Sequence, residues 1–101
     1  MTDKSAASDS AVGYSFKAVV SITGVNRETI IEYCEHGLLP MTAEQVEETE
    51  YDDETIGLIR RVDALRTIHG VNLTGIQMIL NLSNEVEYLR RELKFRVDAD
   101  H

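Results

Sequence analysis
Apolar residues recur at helical spacing through most of this chain. From Ser15 onward, Phe16, Val19, Val20 and Ile22 share one helical face, with Ser15 placed to cap its start and Thr23-Gly24 to end it. Asn26 caps a second short helix over about 27 to 36, carrying Thr29, Ile30, Tyr33 and Cys34 at three-to-four spacing, and Gly37 supplies the left-handed residue that closes it. Two short helices across a glycine-containing turn form the helix-turn-helix pattern, in which the second helix is offered to a major groove. Residues 37 to 51 hold Leu38-Leu39, the single proline Pro40, and a polar run with too few apolar positions for a packed helix, so they predict a loop or a two-stranded wing. A third helix is expected from Asp52 or Asp53, burying Ile56, Ile59, Val62, Leu65, the stem of Arg66 and Ile68, and closing at His69-Gly70. Asn72-Leu73-Thr74 opens a fourth helix through Ile76 and Leu80. After Leu82 a breaker-free stretch of helix formers predicts a fifth, directly or after a slight bend.

The pattern then narrows. Ile79, Leu82, Val86, Leu89, Leu93 and Val97 follow the alternating three-four spacing of a coiled-coil seam, flanked by charged residues. Such a stripe either packs on its own domain or pairs with a second copy. The homodimer is the expectation, because a terminal helix has little domain left to cover it. The fold class that results is mainly all-α: a helix-turn-helix domain over residues 14–82 with a short wing, preceded by an unstructured tail over 1–13 and followed by a dimerisation helix and tail over 83–101.

Composition restricts what this scaffold does. The chain has 101 residues, enough for one core, and carries 18 acidic against 10 basic residues, a formal charge of -8. That balance opposes a partner held by phosphate charge. One cysteine, Cys34, cannot form an internal disulfide, and no N-terminal run joins basic residues to an apolar stretch, which predicts a cytoplasmic protein. No run is apolar enough to cross a membrane. No enzyme chemistry is expected either. Cys34 and His36 sit two apart on a helix and face different ways, and no phosphate loop or nucleophile elbow is present. The acids near Asp52 lack the spacing and central glycine of a calcium loop. No cofactor and no metal are predicted.

Several of these segments resemble the MerR-type winged helix-turn-helix family. The matching residues are Tyr14-Ser15-Phe16, Thr23-Gly24-Val25-Asn26, Glu28-Thr29-Ile30, Tyr33 and Gly37-Leu38-Leu39-Pro40. Further on, Gly70-Val71-Asn72-Leu73, Gly75-Ile76, Ile79-Leu80, Leu82, Glu85-Val86, Leu89-Arg90 and Glu92-Leu93 resemble two branches tied to heat-shock physiology. One is the CbpM chaperone modulators, which bind the J-domain of a CbpA-type co-chaperone. The other is the HspR repressors of chaperone operons. Family members usually carry an arginine after the Thr-Ile pair, then an aromatic pair, and a basic element in the wing. This chain instead has Ile31, Glu32 and Tyr33, and no cation in the wing.

Charge separates the two branches. Residues 42 to 54 contain Glu44, Glu47, Glu48, Glu50, Asp52, Asp53 and Glu54 with no cation, and the second helix adds Glu28, Glu32 and Glu35 against Arg27. A carboxylate held ~7 Å from a phosphate costs roughly 0.5 to 1 kcal/mol even at water-like dielectric. The CbpM resemblance implies a partner of opposite sign, the basic helix of a J-domain of CbpA/DnaJ type. In that reading Glu28, Glu32, Glu35, Glu44, Glu47, Glu48, Glu50, Asp52 and Asp53 form the partner-binding face, with Leu38, Leu39 and Met41 as apolar anchors. Holding that helix would block stimulation of a DnaK-type chaperone. The HspR resemblance implies the alternative, a DNA-binding transcriptional regulator, with DNA binding weak or absent in the first reading.

Overall fold
The computed structural model describes residues 13–99, and in it the predicted caps form one by one. Helix α1 is Phe16–Thr23, where Ser15 accepts the Ala18 N–H at 3.1 Å. Gly24 ends it at φ 75°, a left-handed conformation that costs a residue bearing Cβ roughly 1–2 kcal/mol. Asn26 then starts α2, Arg27–Glu35, by accepting the Thr29 N–H at 2.8 Å. Helix α3, Asp53–Thr67, is capped by Asp52, which accepts the Thr55 N–H at 2.8 Å. Helix α4, Leu73–Ala99, opens with Asn72 accepting the Gly75 N–H at 2.7 Å.

The core draws one to three residues from each helix. Val19 of α1, Ile30 and Tyr33 of α2, Ile59 and Val62 of α3 and Ile76 of α4 are all fully buried. At roughly 1.5–3 kcal/mol for each large apolar side chain removed from water, this cluster fixes how the helices sit against one another. The connection between α2 and α3 is folded into the same core. Leu38, Leu39, Met41, Val46 and Tyr51 are buried there, so the wing is pinned from beneath by its few apolar residues.

Two alternatives left open by the sequence are decided, one expectation is revised, and one lies outside the described residues. The wing forms no pair of strands among the described residues. Ala43–Gln45 is a short 3-10 turn, and Tyr14 and Tyr51 exchange two backbone hydrogen bonds at 2.7 and 2.9 Å as an isolated antiparallel bridge. The fourth and fifth helices are one uninterrupted helix of 27 residues, about 40 Å long, running through position 82 without a bend residue. Ile68 is 74% exposed, because nine residues beyond Ile59, at about 100° per residue, it lies on the opposite side of α3. Residues 1–12 of the expected tail lie outside the described residues.

Only the first three turns of α4 pack on the domain. Leu73 and Ile76 are buried and Leu80 is half-buried, whereas Leu82, Val86, Leu89, Leu93 and Val97 are exposed.

Candidate recognition face
Helix α2 is held rigidly from behind. The Tyr33 hydroxyl donates to Asp63 Oδ1 of α3 at 2.7 Å, and burial together with that bond pushes the phenol up to about 12. Arg66 of α3 lies 5.8 Å over the Tyr33 ring and donates to Glu32 Oε1 at 2.9 Å. Two groups of α3 thus grip two successive residues of α2, while Ile30 and Cys34 fill the space below. The outward side of α2 carries Arg27, Glu28 and Glu35, all exposed. Burial raises the Cys34 thiol, which keeps it protonated and inert.

The wing is fixed beside the start of α2. Val46 is buried, and its carbonyl accepts the buried Tyr51 hydroxyl at 2.7 Å. The Gln45 side chain accepts the Thr42 N–H at 3.0 Å, tightening the turn. From this base Glu47 reaches across to α2, and its Oε2 accepts from Arg27 Nε at 2.6 Å.

The acidic residues expected on the face therefore divide into distinct environments. Glu32 and Glu47 are engaged by Arg66 and Arg27, and Asp52 is engaged in capping α3, with its carboxyl lowered by the Thr55 N–H. Glu28, Glu35, Glu44, Glu48, Glu50 and Asp53 are exposed and have no ion pair among the described residues. Leu38, Leu39 and Met41 are at most 8% exposed, so they are core rather than surface anchors: the chain turns inward after Gly37 to close the core against α3. In the sequence Arg27 stands only as the one cation set against Glu28, Glu32 and Glu35 of its helix. Its ion pair with Glu47 has no signature there, because the partner is 20 residues away.

A second face lies on α4. The seam residues Leu82, Leu89 and Leu93 are 61, 54 and 66% exposed. Between α3 and α4 a cleft of about 490 Å³ is walled by Arg61, Leu82, Ser83, Val86 and Arg90, with Arg61 donating to Ser83 Oγ at 2.9 Å. Tyr88 and Phe95 are exposed as well, at i and i+7 on the side of α4 away from the seam. Among the described residues no cluster of His, Cys, Asp and Glu is arranged to hold a metal, and no helix is long and apolar enough to cross a membrane.

Two capped helices joined by a tight turn, a pinned wing and a long terminal helix define a helix-turn-helix regulatory domain. Residues 14–83 match the model of the MerR HTH family of regulatory proteins, and the chain belongs to that family. It is 29% identical over 77 residues, 76% of its own length, to the provisionally named heat shock protein HspR of Streptomyces coelicolor. It spans about half, 51%, of that relative's length. No solved structure matches it significantly.

Proposed function
We propose that this chain is a non-enzymatic transcriptional regulator of HspR type, which presents α2 to operator DNA and works as a homodimer joined along α4. The observation that carries this reading is the recognition helix itself. It is capped by Asn26, locked from behind by Tyr33 and Arg66, and left open on its outer side within a domain that matches the MerR family from residue 14 to 83. The similarity to HspR supports the same direction. The exposed seam supports the dimer, since a row of leucines and valines this long is rarely left to water on a monomer.

Fluorescence anisotropy with duplex DNA from the chain's own operon, at low salt, tests the reading. The expected result is binding that prefers the operator over scrambled DNA and weakens as salt rises. Equal, negligible affinity for both duplexes would reject it.

The uncompensated acids favour a second reading. Glu44, Glu48, Glu50 and Asp53 complement a cationic surface such as the basic helix of a J-domain co-chaperone of CbpA/DnaJ type. With Leu38, Leu39 and Met41 in the core, such a contact would be chiefly electrostatic. Charge reversal at Glu47, Glu48 and Glu50 should then abolish co-chaperone capture at low salt.

A further inference from the structure
Helix α2 carries one cation, Arg27, at its first position. That is an unfavourable place for positive charge, because the helix dipole already makes the N-terminus positive. It is also the end whose free N–H groups are suited to a phosphate oxygen. A guanidinium there would ordinarily extend into solvent toward any approaching anion. Here it is turned onto the wing, with Nε 2.6 Å from Glu47 Oε2, and the carboxylate beside it raises its pKa further.

The carboxylate is not placed by chance. Glu47 follows directly on Val46, which is buried and tied through its carbonyl to Tyr51. Glu48, the next residue, is equally acidic and exposed but has no cation within ion-pair distance among the described residues. The fold therefore selects one carboxylate of the wing to meet the one cation of the recognition helix.

We propose that Glu47 is an autoinhibitory latch: it occupies Arg27, so that α2 can engage a DNA phosphate only after the Arg27–Glu47 pair opens. The proposal rests on the DNA-binding reading and adds a regulatory step to it. Both side chains are more than half exposed, 51% and 60%, so the pair is screened and opens readily. An exposed pair of this kind shifts an equilibrium by up to about five-fold. The latch sets a threshold on binding rather than an absolute block.

The test is a pair of double-mutant cycles read by anisotropy on operator duplex at low salt, with wild type, Glu47→Gln, Glu48→Gln, Arg27→Gln, Arg27→Gln/Glu47→Gln and Arg27→Gln/Glu48→Gln. Removing either carboxylate reduces general repulsion of the duplex, so Glu48→Gln measures that background. The latch predicts that Glu47→Gln tightens binding about two- to five-fold more than Glu48→Gln does. It also predicts that this excess vanishes once Arg27 is absent. Equal gains from Glu47→Gln and Glu48→Gln, or an excess that persists in the Arg27→Gln background, would overturn the latch while leaving DNA binding intact. Loss of operator preference in wild type and every variant would instead reject the DNA reading, and the latch with it. All three positions, substituted singly or together, are exposed, and matching thermal melts confirm that the comparison is between folded proteins.

Discussion
Replacing Tyr33 by phenylalanine removes one oxygen from the centre of the domain and leaves the ring in place. That oxygen joins α2 to α3 by donating to Asp63 at 2.7 Å, and the ring beneath it is wholly buried. A hydrogen bond to a charged acceptor contributes about 1.5–3 kcal/mol. Asp63 is only partly buried and regains some hydration when its donor goes, so a loss of about 1.5–2 kcal/mol is expected. In a domain of this size that lowers Tm by about 4–8 °C per kcal/mol. The pH dependence supplies a second readout. Burial first, and the bond to Asp63 second, raise Tyr33 from 10.0 to about 12, so the folded state holds its proton more tightly than the unfolded chain does. The resulting stability is fully present below pH 10.0 and is lost as pH rises toward about 12. Tyr51, raised over the same interval by burial, contributes in parallel. Urea titrations followed by far-UV circular dichroism should therefore show Tyr33→Phe weaker than wild type at neutral pH, with a shallower alkaline decline that Tyr51 and Cys34 sustain. Agreement with wild type within about 0.5 kcal/mol at neutral pH, together with an unchanged alkaline limb, would refute the assignment of this bond as the α2–α3 tie.

Leu89→Glu places a charge in the middle of the α4 seam, and should convert a dimer to a monomer in sedimentation equilibrium while helical circular dichroism of the packed domain persists; a monomeric wild type would remove the basis for the seam. Asp52→Ala removes the α3 cap, so Tm should fall by a few degrees at neutral pH. Because the folded Asp52 carboxyl lies below its ordinary value of 3.8, its contribution exists above that pH and is lost on acidification, so wild type and variant should converge in acid.

What the sequence disclosed follows from how local each rule is. Ser15, Asn26, Asp52 and Asn72 cap helices through contacts three residues away, and residue type and position alone locate them. The seam on α4 was legible for the same reason, being a period within one helix. The wing was harder to read. A single valine among carboxylates gives no periodic signal, and whether Val46 is buried depends on Tyr51, Leu39 and Met41 arriving beneath it. Leu38 and Leu39 beside a proline look alike as core or as anchor until the chain direction after Gly37 is known. The ties that organise the candidate face link residues 20 to 34 apart, Arg27 to Glu47, Tyr33 to Asp63 and Glu32 to Arg66. None of them has a spacing rule, so only the packed helices bring them together.

An acidic recognition domain and a long helix with an exposed apolar seam are complementary features under the DNA reading. Non-specific binding is almost wholly phosphate electrostatics, whereas specific binding adds base-edge contacts that charge does not supply. Exposed carboxylates at Glu44, Glu48 and Glu50 therefore weaken both kinds of binding. Because the penalty is common to both, the two affinities fall by about the same factor and the ratio between them is kept. Pairing along α4 offsets that fall, because once one recognition helix is seated, the second engages its half-site at high effective concentration. On this account the exposed leucines of α4 serve operator affinity as much as they serve stability. A monomeric variant would lose binding even with every residue of the recognition face intact.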